Sequence, residues 1–312
     1  MESKIILSIC IPTFNRAEYL ESTILSIVKQ TKFQETNEVE IIISDNCSTD
    51  NTKEISEKYT KMYGNKIRYF RNEKNIKDAN FEKVLSHGKG IFLKLNNDTL
   101  MHRDNSLITI IDEINQNMEN KEIIFFSCGS IKNITKCYCQ DLDSFIKTVS
   151  FNSTWIACFG IWKEDFDSIS NFSRISDLQL VQTDVLFRLI ISNKSVSINN
   201  SNIFDSIIPK DKELYNFYKI FVTNYIGILE RYSVTKEISK VTLFNEKTKL
   251  FLYWIIPSVF TLSRYKKPYP FTTKEIIRIV YNKYAFHPIF YIGIVYIYLK
   301  LGQNCFKKEI TN

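Results

Sequence analysis

The stretch IFLKLNNDTL, Ile91 to Leu100, runs from an apolar segment straight into Asn96, Asn97 and a single Asp98. IFLKL has the length and composition of a buried strand, and it ends on two amides and one carboxylate. A polar turn is the plain explanation, because Asn and Asp bond their own backbone in turns. A ligand site is the alternative, and the flanking sequence bears on the choice. IILSICI (Ile5 to Ile11) is an almost continuous apolar run closed by Pro12, the pattern of a strand buried on both faces. EIIIS (Glu40 to Ser44), IRYF (Ile67 to Phe70) and EIIFFS (Glu122 to Ser127) predict further strands. Between them, Leu20, Ile24, Ile27 and Val28 recur at helical spacing. More helices are expected near Lys53 to Met62, in DANFEKVLSHG ending at Gly88, and around Ser106 to Asn117. Strands alternating with helices at this spacing predict βαβ units and a mainly parallel sheet. Right-handed crossovers then bring the carboxyl ends of the strands to one rim. The polar loops at Pro12, Asp45 and Asn96 should meet there.

The chain has 312 residues, 44% hydrophobic and 24% charged, which is an ordinary folded composition. That length allows one catalytic-sized domain plus an appendage. Seven Cys are scattered, and Cys137-Tyr138-Cys139 lacks the spacing of a CxxC pair, so reduced thiols in a cytoplasmic protein are expected. Met1-Glu2-Ser3-Lys4 leads into an apolar strand without a small-residue cleavage site, so no signal peptide is expected. His87, His102 and His287 do not form metal spacing. The sequence has no Walker-type loop and no G-x-G-x-x-G, which removes the usual NTPase and dinucleotide readings.

Past Ser127 the pattern weakens. STWIACFGIW (Ser153 to Trp162) reads as strand or buried loop, and DLQLVQTDVLFRLIIS as a helix with Leu180, Asp184, Phe187 and Ile191 near one stripe. From about Asp211 the chain reads as helical. We expect an α/β domain over 1–205 and a helical, basic and aromatic region over 206–312. The net charge of +7 belongs to the end of the chain. From Lys240 onward there are 12 Lys and Arg against 3 Asp and Glu. Such asymmetry predicts an anionic partner for that end, a membrane surface or nucleic acid.

Asp45 ends a strand and precedes Asn46, Ser48, Thr49 and Asp50. It could cap the next helix. A carboxylate at the end of a parallel strand can also accept hydrogen bonds from a ribose or a base. Asn46 or Asp50 could cap instead, which frees Asp45 for a ligand.

SICIPTFNR, then EIIISDNCSTDNT, then NIKDANFEKVLSHGKGIFLKLNNDTL together resemble the family 2 glycosyltransferases of the GT-A fold. The nearest flavour is the bacterial sugar transferases of O-antigen and capsule assembly, and the resemblance covers roughly residues 4–130. It implies a Rossmann-like, mainly parallel sheet and a nucleotide-sugar donor. Pro12, Thr13 and Phe14 would line the base pocket, with Asp45 reading the polar edge of the base. Asn75, Asp78 and Asn80 resemble an Asn/Asp pattern beside the donor. The end of the fourth strand usually carries an Asp-x-Asp or Asp-Asp motif that holds Mn²⁺ or Mg²⁺ against the diphosphate. Here Asp98 matches the last acid, while Asn96 and Asn97 stand where acids are usual. The resemblance therefore implies a weakly held, donor-assisted metal on Asp98, with Asn97 beside the donor.

In the family an Asp or Glu at a helix start deprotonates the acceptor. QTDVLFR offers Asp184 with Arg188 at i+4, an arrangement that could equally be a helix ion pair. Asp177 and Asp165 are the other candidates. Trp155 lies where the family places its acceptor, and could stack on a sugar or simply be core. HPIFYIGIVYIYLKLGQNCFKK is too short an apolar run to span a bilayer. It fits a surface helix at the headgroup level, or a helix buried on the protein. LSRYKKPYP adds an aromatic-basic loop. No nucleic-acid-binding motif is present, so no nucleic-acid partner is expected. The expectation is a cytoplasmic enzyme, peripheral on the inner membrane face, that passes a sugar to a lipid-linked glycan. The rivals are an inactive nucleotide- or glycan-binding relative and a nucleotidyltransferase. The latter would need a basic triphosphate loop, and PTFNR has only Arg16.

Overall fold

The computed structural model describes residues 4–192, 194–207, 216–264 and 275–310, with the side chains of 262–264 and 301–310 left aside. The chain divides into two compact units, Met1–Pro209 and Lys210–Asn312.

In the first unit the elements run β1 (Leu7–Thr13), α1 (Ala17–Val28), α2 (Thr31–Glu35), β2 (Val39–Asp45), α3 (Thr52–Tyr63), β3 (Ile67–Arg71), α4 (Ala79–Ser86), β4 (Phe92–Leu95) and β5 (Leu100–His102). They continue with α5 (Ser106–Gln116), β6 (Ile123–Phe126), β7 (Lys136–Cys139), α6 (Leu142–Val149), β8 (Gly160–Trp162), α7 (Lys163–Ser168), α8 (Val181–Ile191), β9 (Val196–Asn199) and β10 (Phe204–Ser206). The main sheet has the order β3-β2-β1-β4-β8. β1, β2, β3 and β4 are parallel, with Thr13 opposite Asp45 and Cys10 opposite Leu95. This register aligns the carboxyl ends of β1, β2 and β4.

The strands are buried on both faces because helices cover them. Leu7, Ile9, Ile11, Ile41, Ile43 and Phe92 are fully buried against Leu20, Ile24, Ile27, Ile110 and Ile114. At roughly 1.5–3 kcal/mol per fully buried aliphatic or aromatic side chain, this core carries most of the folding drive of the unit. One charge lies under the opposite end of the sheet. Glu40 accepts from Ser8 Oγ and the Lys89 N–H, each at 2.6 Å, and from Arg68 Nη2 at 2.8 Å. Its carboxylate is therefore buried with its bonds made, as a buried ion must be.

EIIFFS forms a strand, β6, but not a fifth member of the parallel sheet. The edge beside β4 is taken by β8, antiparallel to it. Gly160 makes that pairing possible, since a Cβ there would lie 2.4 Å from the Phe92 ring. β6 instead pairs with β9 in a small sheet of order β6-β9-β7. Glu113 anchors this sheet to α5, accepting from Ser197 Oγ at 2.7 Å and Asn199 Nδ2 at 3.1 Å and pairing with Lys136 at 2.8 Å.

Between the sheets sits Lys94 of β4, fully buried. Its ammonium donates to the Ala157 carbonyl at 2.6 Å and lies 4.5 Å from the Phe204 ring centroid and 5.5 Å from that of Phe126. Burial pulls its pKa down to about 8.

The second unit is helical: α9 (Ile226–Val234), preceded by a π-helical turn Lys219–Tyr225, then α10 (Lys240–Leu250), α11 (Ile256–Arg264), α12 (Ile276–Tyr284) and α13 (Pro288–Ile310). Tyr225, Leu229, Leu250, Phe251, Ile255 and Tyr284 form its interior. α13 meets Phe251 through Gly293, where a Cβ would fall 2.2 Å from the ring. The Tyr-rich run of this helix is nevertheless mostly open, with Tyr291, Ile292, Ile294, Val295, Tyr298 and Leu299 exposed. Among the described residues no helix is long and apolar enough to cross a membrane. Most of LSRYKKPYP lies outside the described residues.

The described cysteines, Cys10, Cys47, Cys128, Cys137, Cys139 and Cys158, are unbridged.

Candidate active site

The loop after β1 and the turn after β4 are joined at Asp98. Thr13, the last residue of β1, donates from Oγ1 to Asp98 Oδ2 at 2.9 Å. Arg16 Nη1 donates to Asp98 Oδ1 at 3.0 Å. From α1, Thr23 Oγ1 reaches the Asp98 backbone carbonyl at 2.9 Å. The Asp98 side chain is 5% exposed, and Arg16 keeps a quarter of its side chain open at the rim. Burial raises the pKa of Asp98, against the pull of Arg16 and Thr13. The NND turn is thus a turn and also a meeting point of three elements.

The two amides before Asp98 differ. Asn96 is spent on structure: its Oδ1 lies 3.0 Å from His102 Nε2 and its Nδ2 donates to the Asn97 carbonyl at 3.0 Å. His102 in turn meets Ser106 Oγ at 3.1 Å, and burial drives its pKa well down, so the ring is neutral. Asn97 Oδ1, by contrast, is buried with no hydrogen-bond partner among the described residues. Such an atom costs free energy unless something donates to it.

The rim loops are stitched together. Asn15, at φ 52°, accepts the Thr49 N–H at 2.7 Å, and its own N–H donates to Ser48 Oγ at 2.9 Å. Asp50 accepts from the N–H of Ala17 at 2.9 Å and of Thr52 at 3.1 Å, so one carboxylate holds the first turns of α1 and α3. Asp45 is fully buried. It accepts the Ser48 N–H at 2.7 Å and the Tyr69 hydroxyl at 2.8 Å. It holds its own loop, and could meet a base only if Ser48 or Tyr69 gave way. Asn80 is likewise a clamp, bonded to Ser44 Oγ, the Ser44 carbonyl and Asn72. Asp78 is different. It stands before α4, mostly buried, with no side-chain hydrogen bond among the described residues, and burial lifts its pKa to about 6. Asn46 ties this segment to the end of β2 through Asn75 Oδ1 at 2.9 Å. Pro12 and Phe14 are half-buried beside Thr13.

On the far side of β4 the Leu95 N–H donates to the Phe159 carbonyl at 3.2 Å, which brings the preceding stretch to the end of β4. Trp155 in that stretch is half-buried and packs on the main core. α8 holds the stretch from below: Gln182 Nε2 donates to the Thr154 carbonyl at 2.7 Å and Thr183 Oγ1 to that of Ser153 at 3.3 Å. Ser153 Oγ and Gln182 Oε1 are buried with no hydrogen-bond partner among the described residues. Asp184, one turn into α8, is held by Arg174 through two bonds of 2.7 and 2.6 Å, with Arg188 at 3.6 Å. The expected i,i+4 partner is therefore the lesser one. Asp165 is paired with Lys194 at 2.6 Å.

Sequence reasoning set Arg16 aside as a lone basic residue. Its partner is 82 residues away, and no local spacing signals such a pair.

The donor set for a divalent metal falls short here. Asp98 is the single carboxylate of the turn, both its oxygens are bonded to protein, and Asn96 is committed to His102. Asn97 Oδ1 alone is ready to ligate. Among the described residues no group of three or more His, Cys, Asp or Glu could hold a metal. As they stand, these residues do not fit the ion.

The family model of glycosyl transferase family 2 matches residues 8–120, the span from β1 to the end of α5. That region is thus similar to the family 2 glycosyltransferases. The abequosyltransferase RfbV of Salmonella typhimurium is 44% identical over 86 residues, 27% of this chain and 25% of that protein. The GalNAc(5)-diNAcBac-PP-undecaprenol beta-1,3-glucosyltransferase of Campylobacter jejuni is 32% identical over 112 residues, 35% of each. The chain thus matches a quarter to about a third of the length of these curated relatives. The structure of S. aureus TarS 1-349 in complex with UDP-GlcNAc superposes with a TM-score of 0.58 at 16% identity, covering 89% of this chain and 79% of that one. The mannosyltransferase PcManGT from Pyrobaculum calidifontis, in complex with GDP-Man and Mn²⁺, gives 0.56 at 11% identity, covering 86% and 78%. The domain has the GT-A fold.

Proposed function

We propose that this chain is a glycosyltransferase that moves one sugar from a nucleotide-sugar to a lipid-linked glycan in surface polysaccharide assembly. The observation that carries the reading is the convergence of Thr13, Arg16, Asn97 and Asp98 where β1 and β4 end, within the region similar to family 2. Two acceptors have no hydrogen-bond partner among the described residues, the buried Asn97 Oδ1 in this turn and the mostly buried Asp78 carboxylate in the segment tied to the end of β2. Both are acceptors, and the hydroxyls of a ribose or sugar are donors. Pro12 and Phe14 would flank the base. Asp45 supports the reading only as the anchor of its loop.

In the reaction, the acceptor oxygen bonds to the anomeric carbon as the bond from that carbon to the diphosphate oxygen breaks. A single displacement of this kind inverts the centre. The acceptor proton would go to Asp184, whose carboxylate must turn part of its bonding away from Arg174. Trp155 would offer the acceptor sugar a face. In the form the resemblance implies, Mn²⁺ or Mg²⁺ would sit on Asp98 once the donor brings its phosphates. The bonds Thr13 and Arg16 make to that carboxylate weigh against it.

The first unit would do the chemistry, and the second would lie against the cytoplasmic face of the inner membrane. The open side of α13 supports this, because Ile292, Val295 and Leu299 follow one helix face and are exposed beside a basic surplus. With the full chain, Ile292→Glu together with Val295→Glu should abolish sedimentation with anionic phospholipid vesicles and leave the melting temperature in place. Vesicle binding equal to the parent's would remove the membrane from the proposal.

The central test is hydrolysis of a panel of UDP-, GDP-, CDP- and dTDP-sugars, with calorimetric binding of the matching nucleoside diphosphates. One nucleotide should bind and its sugar be released. Binding without release would leave a glycan- or nucleotide-binding relative, and no binding would end the reading.

A further inference from the structure

The NND turn raises a question of charge. Two acids and a divalent cation, as in the pattern this turn resembles, sum to zero. Asp98 and Arg16 also sum to zero, with no metal present. Their bond is 3.0 Å long, and the second carboxylate oxygen is already taken by Thr13 at 2.9 Å. Nor can the turn easily supply another charge, since Asn96 is held by a buried His102 that stays neutral.

We propose that Arg16, positioned by Asp98 and Thr13, is the built-in counter-cation for the donor diphosphate, so that nucleoside-diphosphate binding in this chain does not depend on a divalent metal. The proposal rests on the nucleotide-sugar reading and deepens it. Three features support it. Arg16 lies in the loop after β1 and remains a quarter exposed, so a ligand at the rim can reach it. A guanidinium is a planar fork of N–H donors that suits phosphate oxygens. Asp98, nearly sealed, anchors the guanidinium through Nη1. Asn97 Oδ1 then has no metal to serve and accepts from a hydroxyl of the donor.

The experiment titrates the full chain with UDP, GDP, CDP and dTDP, each in EDTA and in Mn²⁺, and repeats the series for Arg16→Met and Arg16→Lys. For the nucleotide that binds, the parent should show dissociation constants in EDTA and Mn²⁺ within about threefold of each other. Arg16→Met should weaken binding in EDTA by about tenfold or more, the order of a lost charge-assisted contact. It should also acquire a Mn²⁺ dependence, because Asp98 is released to oxygen-seeking cations. Arg16→Lys should keep most of the metal-free binding. Melting curves for each variant confirm that the fold persists. A parent that binds tenfold or more tighter in Mn²⁺ than in EDTA overturns the proposal, as does an Arg16→Met variant that binds like the parent. If no nucleotide binds the parent under either condition, the nucleotide-sugar reading itself fails and this inference with it.

Discussion

Asp98 and Asp184 are both nearly sealed carboxylates held by arginine, yet they are held to different ends. Arg174 grips Asp184 with both arms, at 2.7 and 2.6 Å, and Arg188 stands behind at 3.6 Å. Arg16 touches Asp98 with one nitrogen and shares it with a threonine. A two-point guanidinium clamp fixes orientation as well as distance, whereas a single bond can be exchanged for a ligand at modest cost. Under the proposed function Asp98 would keep Arg16 in place beside the donor. Asp184, if it takes the acceptor proton, would have to loosen its two-point clamp first.

The largest expected effect tests that clamp. If Asp184 takes the acceptor proton, Asp184→Asn keeps its shape and should lower transfer by roughly 10²–10⁴-fold with donor binding intact. Steady-state transfer and nucleotide calorimetry on the same preparation check this. Near-normal turnover would leave Asp184 as a strut and move the search to Asp177 or Asp165.

The next effect is on stability and sets the two arginines side by side. Arg174→Gln leaves a buried carboxylate short of its main partner and should cost about 1–3 kcal/mol, less than for a fully buried pair because Arg174 is 46% exposed. Arg16→Gln takes the guanidinium from a nearly sealed carboxylate that Thr13 still holds, and should cost less, about 1 kcal/mol. Urea unfolding of the two variants measures the difference. Equal costs would mean that the two carboxylates are held alike and that the contrast drawn from their geometry is empty.

The two sites were not equally legible in the sequence. β1, β2 and β4 read clearly because a parallel strand covered on both faces must be apolar throughout, and the polar loops that end them follow from the same topology. The run EIIFFS obeyed the same rule yet entered another sheet. Apolarity marks a strand as buried and says nothing of which neighbour it meets, and here β8, with Gly160 against Phe92, had taken the edge. Lys94 read as one letter in a strand, although its amine is sealed between two aromatic rings. At Asp184 helical spacing pointed to Arg188, while the stronger partner comes from a loop ten residues upstream. Pairings that depend on loop paths leave no periodic trace, so Arg16 was visible as a residue and invisible as a partner.

The smallest effect concerns Asp78, which no arginine holds among the described residues. It is the counterexample to both clamped acids, since burial without a partner lifts its pKa from 3.8 to about 6. A carboxyl whose folded-state pKa is raised favours the folded state most when protonated. Its contribution is fully present below about pH 4 and is lost as the pH rises through 6. Asp78→Asn removes the charge that must otherwise be buried, so at pH 7 the variant should be more stable than the parent by roughly 1–3 kcal/mol. At pH 4 the two should unfold alike. The nucleotide sharpens the point, because a hydroxyl donated to Asp78 would stabilise the ionised form and pull its pKa back down. Saturation with the nucleoside diphosphate that binds should therefore shrink the stability gap at pH 7. Urea curves at pH 4 and pH 7, with and without that nucleotide, give four differences to compare. A gap that is the same at both pH values would mean that Asp78 is solvated and not waiting for a donor. A gap that appears at pH 7 but ignores the nucleotide would detach Asp78 from the site.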